Sequence, residues 1–443
     1  MKKVLLSAVV AALVAVAIPG SASGAPLPPQ SDPFYQPPAG YQATAPGTIL
    51  KSRTISAAAF GYLPQKVQAW QLLYRTTDTQ GNPEATVTTV LEPLNAKPSA
   101  SRPLLSYQVA EDSSAPQCAI SYQLEQGSDN SNIVAEAEIL LIDAAVEQGW
   151  AVSVPDYEGP ASAYTGGKQA GQAVLDGIRA TENFSTLGLA GSATKVGMWG
   201  YSGGALASGW ASELQPGYAP ELHVAGVAEG GLPVNLEHIL NGINGGPFAG
   251  IAMSGIAGLA HAYPQLAGFL DTYLTPAGKS AFATVNSQCN AQNAAEFTFT
   301  NIYQYFSISD PLSLPVPQQV LTDDTLGQHT PTAPMFIYQS INDELVPASD
   351  VDAVVRSYCA AGAHVTYQRD MLSEHVILAV TGAPDALNFL IDRFNGKPAA
   401  SGCGTSTVAS SLFTPGALQT FGSVIFNDLL ALAGQPVGPG DMA

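Results

Sequence analysis

Charge is scarce in this 443-residue chain, and positive charge most of all. Only 12% of the residues are Asp, Glu, Lys or Arg, and 16 basic residues face 35 acidic ones, a formal net charge of −19. A surface of that sign repels the phosphates of nucleic acid and the headgroups of anionic membranes, so neither is expected as a partner. Cysteine is sparse too, with Cys118, Cys289, Cys359 and Cys403 alone. Their spacings are too wide for a zinc ribbon, and no metal site is expected. Internal repeats are absent. No stretch beyond the first 18 residues is long and apolar enough to span a bilayer, so the mature chain should carry no integral membrane segment. What the chain has is apolar bulk: 46% of its residues are hydrophobic, which suits a compact protein with a large core and excludes a disordered one. The length allows two or three domains, or one large α/β domain with insertions.

Residues 1–25 read as a secretory signal. Lys2 and Lys3 precede the apolar run Val4 to Ile18, and the small residues Gly20 to Ala25 follow. Cleavage there leaves 14 basic residues against 35 acidic ones, a formal charge near −21. The protein is therefore expected to be secreted, extracellular and soluble, and a monomer. In an exported chain four cysteines make two disulfides, with three possible connectivities.

Residues 26–48 are rich in proline and polar residues, and Phe34 and Tyr35 mark them as an arm that packs over the domain. Val67 to Tyr74 and Ala85 to Leu91 read as strands of a hairpin turned at Gln80-Gly81-Asn82. Leu104 to Val109 is the next strand, and helical spacing runs from about Asn132 to Gln148. Trp150 to Val154 is a buried strand, Gln169 to Phe184 a helix, and Val196 onward another strand. Leu222 to Val227 continues the rhythm, which implies crossover units and a largely parallel sheet. The rhythm then breaks. Residues 231–311 turn helical and rich in small residues, as an inserted cap or lid would, before a strand reappears at Met335 to Tyr338. Helix Ser349 to Ala361, strand Val365 to Gln368 and helix Pro384 to Phe394 complete the pattern. The expected layout is thus an α/β core in two parts, 49–230 and 312–396, interrupted by the helical insertion. Residues 397–443 form a tail whose one pattern is the apolar run Val424 to Leu432.

At the centre of this layout lies Val196-Gly197-Met198-Trp199-Gly200-Tyr201-Ser202-Gly203-Gly204. A strand enters it, a small-residue helix leaves it, and the serine sits between glycines. That is the G-x-S-x-G nucleophile elbow of the α/β-hydrolase fold, a turn so sharp that side chains on its neighbours would collide. Ser202 is the expected nucleophile, with the N-terminal N–H groups of the helix aimed at the reaction centre. A serine needs a base to take its proton, and the base needs an acid to orient it. In this fold the order along the chain is serine, acid, histidine. His223, His238, His261 and His329 come too early for that order. His364 lies at the wrong end of its strand. His375, just past strand Val365 to Gln368, fits. For the acid, Asp343 follows strand Met335 to Tyr338, with Glu344 and Asp350 as rivals.

Several stretches carry a family resemblance: Asp32-Pro33-Phe34-Tyr35, Ser106 to Asp112, Pro155 to Pro160, Gly200 to Gly204, Asp343 to Pro347, and Glu374-His375. In that order, over nearly the whole mature chain, they resemble the secretory lipase family that includes Candida antarctica lipase A. The insertion and the tail carry no matching motif. The resemblance implies a triad of Ser202, Asp343 and His375. It implies an oxyanion hole from the backbone N–H of Gly203 and from Asp112, whose side chain helps only when protonated. It also implies disulfides Cys118–Cys289 and Cys359–Cys403. No cofactor is implied.

The expectation is a secreted serine hydrolase of carboxylic esters, a triacylglycerol lipase or broad esterase. Its partner would be a lipid or small ester, met at a lipid–water interface. An acyltransferase using the same triad and a catalytically idle secreted binding protein are the alternatives, and triad chemistry also cleaves amides.

Overall fold

The computed structural model describes residues 25–439, so the expected signal segment, apart from Ala25, lies outside the described residues. A hairpin starts the main sheet. Strands β2 (Val67–Thr77) and β3 (Pro83–Pro93) pair antiparallel along their whole length, from Val67 opposite Pro93 to Thr77 opposite Pro83. Asp78 makes the turn between them. Its carboxyl accepts from Asn82 N at 2.7 Å and Asn82 Nδ2 at 3.0 Å, and Gly81 supplies the positive φ of 86°. A strand not foreseen in the sequence, β1 (Ile49–Thr54), pairs antiparallel with β2.

The remaining strands of this sheet are β4 (Leu104–Gln108), β5 (Ala151–Pro155), β6 (Val196–Tyr201), β7 (Val224–Gly230), β8 (Met335–Ser340), β9 (Val365–Asp370) and β10 (Cys403–Val408). Together the ten form one sheet in the order β1-β2-β3-β5-β4-β6-β7-β8-β9-β10. From β5 to β10 every neighbouring pair is parallel. β4, β5, β6 and β8 are buried at every residue, as strands covered on both faces must be. Their side chains sort by alternation. Leu105, Tyr107, Trp199 and Tyr338 face a core closed by helices α2 (Ile139–Val146), α13 (Ala383–Phe394) and α14 (Ala417–Leu432). Leu104, Val196 and Met198 face α3 (Gly167–Glu182) and α4 (Gly203–Tyr218). α11 (Ala348–Ala360) packs beside α4 on that second face, against Met335, Ile337 and Val365.

The helical stretch expected from Asn132 to Gln148 is two helices, α1 (Ile133–Ala137) and α2, broken at Glu138. Between β7 and β8 the chain forms α5 (Leu236–Ile243), α6 (Ala249–Ala262), α7 (Pro264–Tyr273), α8 (Pro276–Val285), α9 (Asn290–Glu296) and α10 (Pro315–Asp323). They share a core of their own, including Met253, Leu266, Phe269 and Phe282. The helices therefore continue past residue 311, one helix beyond the expected boundary. The four cysteines pair as Cys118–Cys289 and Cys359–Cys403. The first bond ties α9 to the loop after β4.

The expected tail is not featureless. Its first part adds edge strand β10, parallel to β9, and its apolar run belongs to α14. β10 reads Cys-Gly-Thr-Ser-Thr-Val and is mostly exposed, so it offers no hydrophobic pattern to detect. The Cys359–Cys403 bond fastens it to the end of α11.

Few cations reach the interior, and its acids respond by holding protons. Glu229 on β7 and Asp324 after α10 are fully buried, and burial pushes each up to about 8. In the unfolded chain such groups ionise near pH 4. Between the two values the native state binds more protons than the unfolded state, so stability is full below about pH 4 and is lost as pH rises toward 8. Thermal unfolding should thus give a Tm that falls by about 5 °C or more between pH 5 and pH 8. A Tm that rises over that window would contradict this account of the buried acids.

Candidate active site

Strand β6 ends at Tyr201 and α4 begins at Gly203, leaving Ser202 alone to make the turn with φ 53° and ψ −122°. Such a conformation costs about 1–3 kcal/mol in a residue with a side chain, so its surroundings must hold it. Ser202 N donates to Gly230 O on β7 at 2.9 Å, and Ser202 O accepts from Leu206 N at 3.0 Å. The flanking glycines are steric necessities. A Cβ on Gly200 would run into Gly204 O, and one on Gly204 would run into Gln108 O at the end of β4.

His375 is the first residue of α12 (His375–Thr381), whose N-cap Glu374 accepts from Val376 N and Ile377 N. Its Nε2 lies 2.8 Å from Ser202 Oγ, and its Nδ1 lies 2.8 Å from Asp343 Oδ2. The Asp343 side chain is wholly buried, in a tight turn after β8. Its Oδ1 accepts from Leu345 N at 3.0 Å and Val346 N at 2.7 Å, and Oδ2 also accepts from Gln339 Nε2 at 2.8 Å. These bonds fix the direction of the carboxyl toward the imidazole. The rival acids go elsewhere. Glu344 accepts from the backbone N of His375 at 3.0 Å, while Asp350 lies 3.0 Å from His238 Nδ1. Tyr201 OH donates to His375 O, so the elbow strand also grips the backbone of the histidine.

The other side of Ser202 is formed by the turn after β4. Val109 O accepts from Glu111 N and from Tyr157 OH, at 2.9 and 2.7 Å, and Asp112 then turns with φ 49°. The Asp112 side chain is buried and sits over the start of α4, so that a Cβ on Gly203 would collide with Asp112 Oδ1. That oxygen has no hydrogen-bond partner, while Oδ2 accepts from Asn290 Nδ2 of α9 at 3.3 Å. Burial pushes Asp112 up to about 6, against the opposing pull of His375.

Asp112, Ser202 and Gly203 line one cavity of about 90 Å³. Its other walls are mainly apolar and come from α5 and α6, among them Leu236, Leu240, Ile256 and Leu259. A second apolar cavity of about 40 Å³ lies behind Leu240, Ile256, Leu259 and Leu321, which the two share. Among the described residues no group of three or more His, Cys, Asp or Glu is arranged to hold a metal ion. Ser202, His375 and Asp343 thus meet in one hydrogen-bonded line, with Asp112 and Gly203 opposite. Sequence reasoning did not find Tyr157 and Glu344 as backbone anchors of the two loops. Their one signal is adjacency to quoted motifs, in Pro155 to Pro160 and Asp343 to Pro347.

A family model described as "Secretory lipase" matches residues 124–402. Lipase A of Arthroderma benhamiae is 43% identical over 94% of this chain and 91% of its own length. A protein named probable inactive lipase from Mycobacterium tuberculosis is also 43% identical, over 84% of each chain. Among solved structures, Candida antarctica lipase A in its closed state superposes with a TM-score of 0.85 at 34% identity, covering 94% of this chain and 99% of that one.

The contact between Gly203 and Asp112 gives a direct test. Gly203→Ala should push the Asp112 carboxyl off the start of α4 and leave the fold intact by circular dichroism. Labelling of Ser202 by a fluorophosphonate should then slow by about 10²-fold, the scale of losing one oxyanion donor. An unchanged labelling rate would mean that Asp112 does not serve the serine.

Proposed function

The chain belongs to the secretory lipase family and is a carboxylic ester hydrolase, and from that premise we propose that it is a secreted, extracellular triacylglycerol lipase working through Ser202, His375 and Asp343. The observation that carries the reading is the unbroken line of two 2.8 Å contacts from hydroxyl to imidazole to carboxyl. His375 Nε2 takes the proton as Ser202 Oγ attacks the ester carbonyl, and Asp343 steadies the imidazolium that results. The carbonyl oxygen becomes an oxyanion, and Gly203 N–H donates to it from the start of α4. Below about pH 6 the Asp112 carboxyl keeps its proton and adds a second donor. His375 then returns the proton to the leaving alcohol. Water, activated by the same histidine, releases the acid from the acyl-enzyme. The apolar cavity accepts the acyl chain, and helices α5 to α10 act as its cap.

An idle binding protein is the alternative that a relative named as inactive keeps in view. The intact hydrogen-bonded line at Ser202 argues against it. Hydrolysis of p-nitrophenyl esters of graded chain length tests the choice. Ser202→Ala should lower kcat by about 10⁴-fold or more, and Asp343→Asn by about 10⁴-fold. A Ser202→Ala protein as active as the wild type would remove the nucleophile and the reading with it.

Exposed apolar side chains support action at a lipid–water interface. Val376, Ile377 and Val380 project from α12, which starts at His375. α12 packs beside the turn Ser411–Phe413, and that turn packs on α14, where Phe426 and Leu429 are each 62% exposed. Neither residues 371–381 nor 409–432 contain Lys or Arg, and Asp428 of α14 is buried. A face without Lys or Arg, whose one partly exposed acid is the N-cap Glu374, fits neutral lipid better than an anionic bilayer. Phe426→Ser with Leu429→Ser should lower the rate on a triacylglycerol emulsion severalfold and leave that on a soluble short-chain ester unchanged. Equal loss on both substrates would assign these side chains to folding instead.

A further inference from the structure

The turn that carries Asp112 has an anchor outside the triad. Glu138 sits at the break between α1 and α2, with φ −72° and ψ −6°. Its Oε1 accepts from Ala110 N at 2.9 Å, and its Oε2 lies 2.7 Å from Tyr107 OH. Ala110 belongs to the Val109–Asp112 turn, and Tyr107 is a buried residue of β4, the strand leading into that turn. The Tyr107 ring also meets Trp199 of β6 edge-on, with centroids 5.3 Å apart, two residues before Tyr201. One carboxyl therefore joins the turn to the strand before it, and through Tyr107 to the strand of the elbow.

Resting on the function proposed above, we propose that Glu138 is a positioning residue for the oxyanion hole: it holds the Val109–Asp112 turn at its distance from Gly203. Two features of the turn make such an anchor necessary. Asp112 stands at positive φ, a conformation that a free loop would leave. Its Oδ1 has no partner of its own and its Oδ2 meets Asn290 Nδ2 at a long 3.3 Å, so the tip of the side chain holds the turn only weakly. The restraint comes from the backbone side, through Tyr157 on Val109 O and Glu138 on Ala110 N. Glu138 does not line the cavity at Ser202, so it acts through Asp112 and not on substrate.

The amide of glutamine reproduces both bonds. Its oxygen accepts from Ala110 N, and its NH₂ donates to the Tyr107 hydroxyl oxygen. It also copies the neutral acid, the form that burial favours by pushing Glu138 up to about 8. Alanine reproduces neither bond.

The test compares Glu138→Ala and Glu138→Gln in the full chain, with kcat and KM measured on a soluble p-nitrophenyl ester. Glu138→Ala should lower kcat by about 10- to 100-fold with KM within twofold, since a displacement near 1 Å at a donor costs on that scale. Glu138→Gln should restore kcat to within about threefold of wild type. A purely structural role predicts reduced active enzyme without a change in kcat per active site, so active sites are counted by fluorophosphonate titration. Should Glu138→Ala not fold, Tyr107→Phe removes the bond to Oε2 and should lower kcat about threefold or more. The inference is overturned if kcat per site is unchanged in Glu138→Ala, if Gln does no better than Ala, or if Tyr107→Phe is silent where it is the variant that decides. Ser202→Ala is run alongside: normal turnover there defeats the functional reading, whereas silence at Glu138 with a dead Ser202→Ala defeats this inference alone.

Discussion

The site depends on a backbone that would not adopt its shape unaided. Ser202 stands at φ 53° because β6 must become α4 within one residue, and two side chains, at Gly200 and Gly204, have to be missing for that to happen. The clearance at Gly204 is set by Gln108 O, the last carbonyl of β4. β4 and β6 pair in parallel with Gln108 opposite Gly200, so the two strands end level. The collision that forbids a side chain at Gly204 is thus the same proximity that brings the Asp112 turn over the start of the helix. The elbow and the Asp112 turn therefore meet in one packing arrangement.

Level strand ends do the same on the far side. Tyr201 lies opposite Gly230, Gly230 opposite Tyr338, and Ser340 opposite Asp370, so β6 to β9 finish along one edge of the sheet. Each candidate site residue then lies a few positions past its strand. The loop after β9 would overshoot if it ran straight. Asp370 bends it, accepting from Leu372 N at 3.0 Å, Ser373 N at 2.8 Å and Ser411 N. Ser340 Oγ donates to Ser373 O at 2.6 Å, which joins the loop after β9 to the end of β8. His375 arrives as the first residue of a capped helix, so its backbone is fixed before its side chain makes any contact.

What could be read from the sequence follows from whether the cause is local. The elbow was legible because the clearance it needs is written as glycine at fixed offsets from the serine. The buried parallel strands were legible as apolar runs between turn residues. The acid was not fully legible: Asp343, Glu344 and Asp350 sit within one short stretch, and only side-chain direction separates them. Their different partners, an imidazole, a backbone N–H and a second histidine, have no signature in residue type. Strand β10 escaped notice because an exposed edge strand needs no apolar alternation, and its Thr and Ser are equally at home in a loop. The break at Glu138 was hidden for the opposite reason, since helical spacing carries on through it. A residue that interrupts a helix in order to reach a distant turn is invisible to any method that reads periodicity.

Net acidity, the first property seen in the composition, reaches further than the surface. With so few basic residues, only some buried acids have a cation beside them, as Glu92 has Arg102 and Asp176 has Arg179. Others, such as Glu229 and Asp324, are neutralised by keeping their protons. Asp112 is raised less far, to about 6, because His375 and a hydrogen bond from Tyr164 oppose the effect of its burial. The same shortage of positive charge that leaves interior acids protonated leaves the reaction centre without a fixed cation. On the function proposed above, an oxyanion there would be stabilised by N–H dipoles and, below about pH 6, by the protonated Asp112 carboxyl, which ties the proposed chemistry to the charge balance of the whole chain.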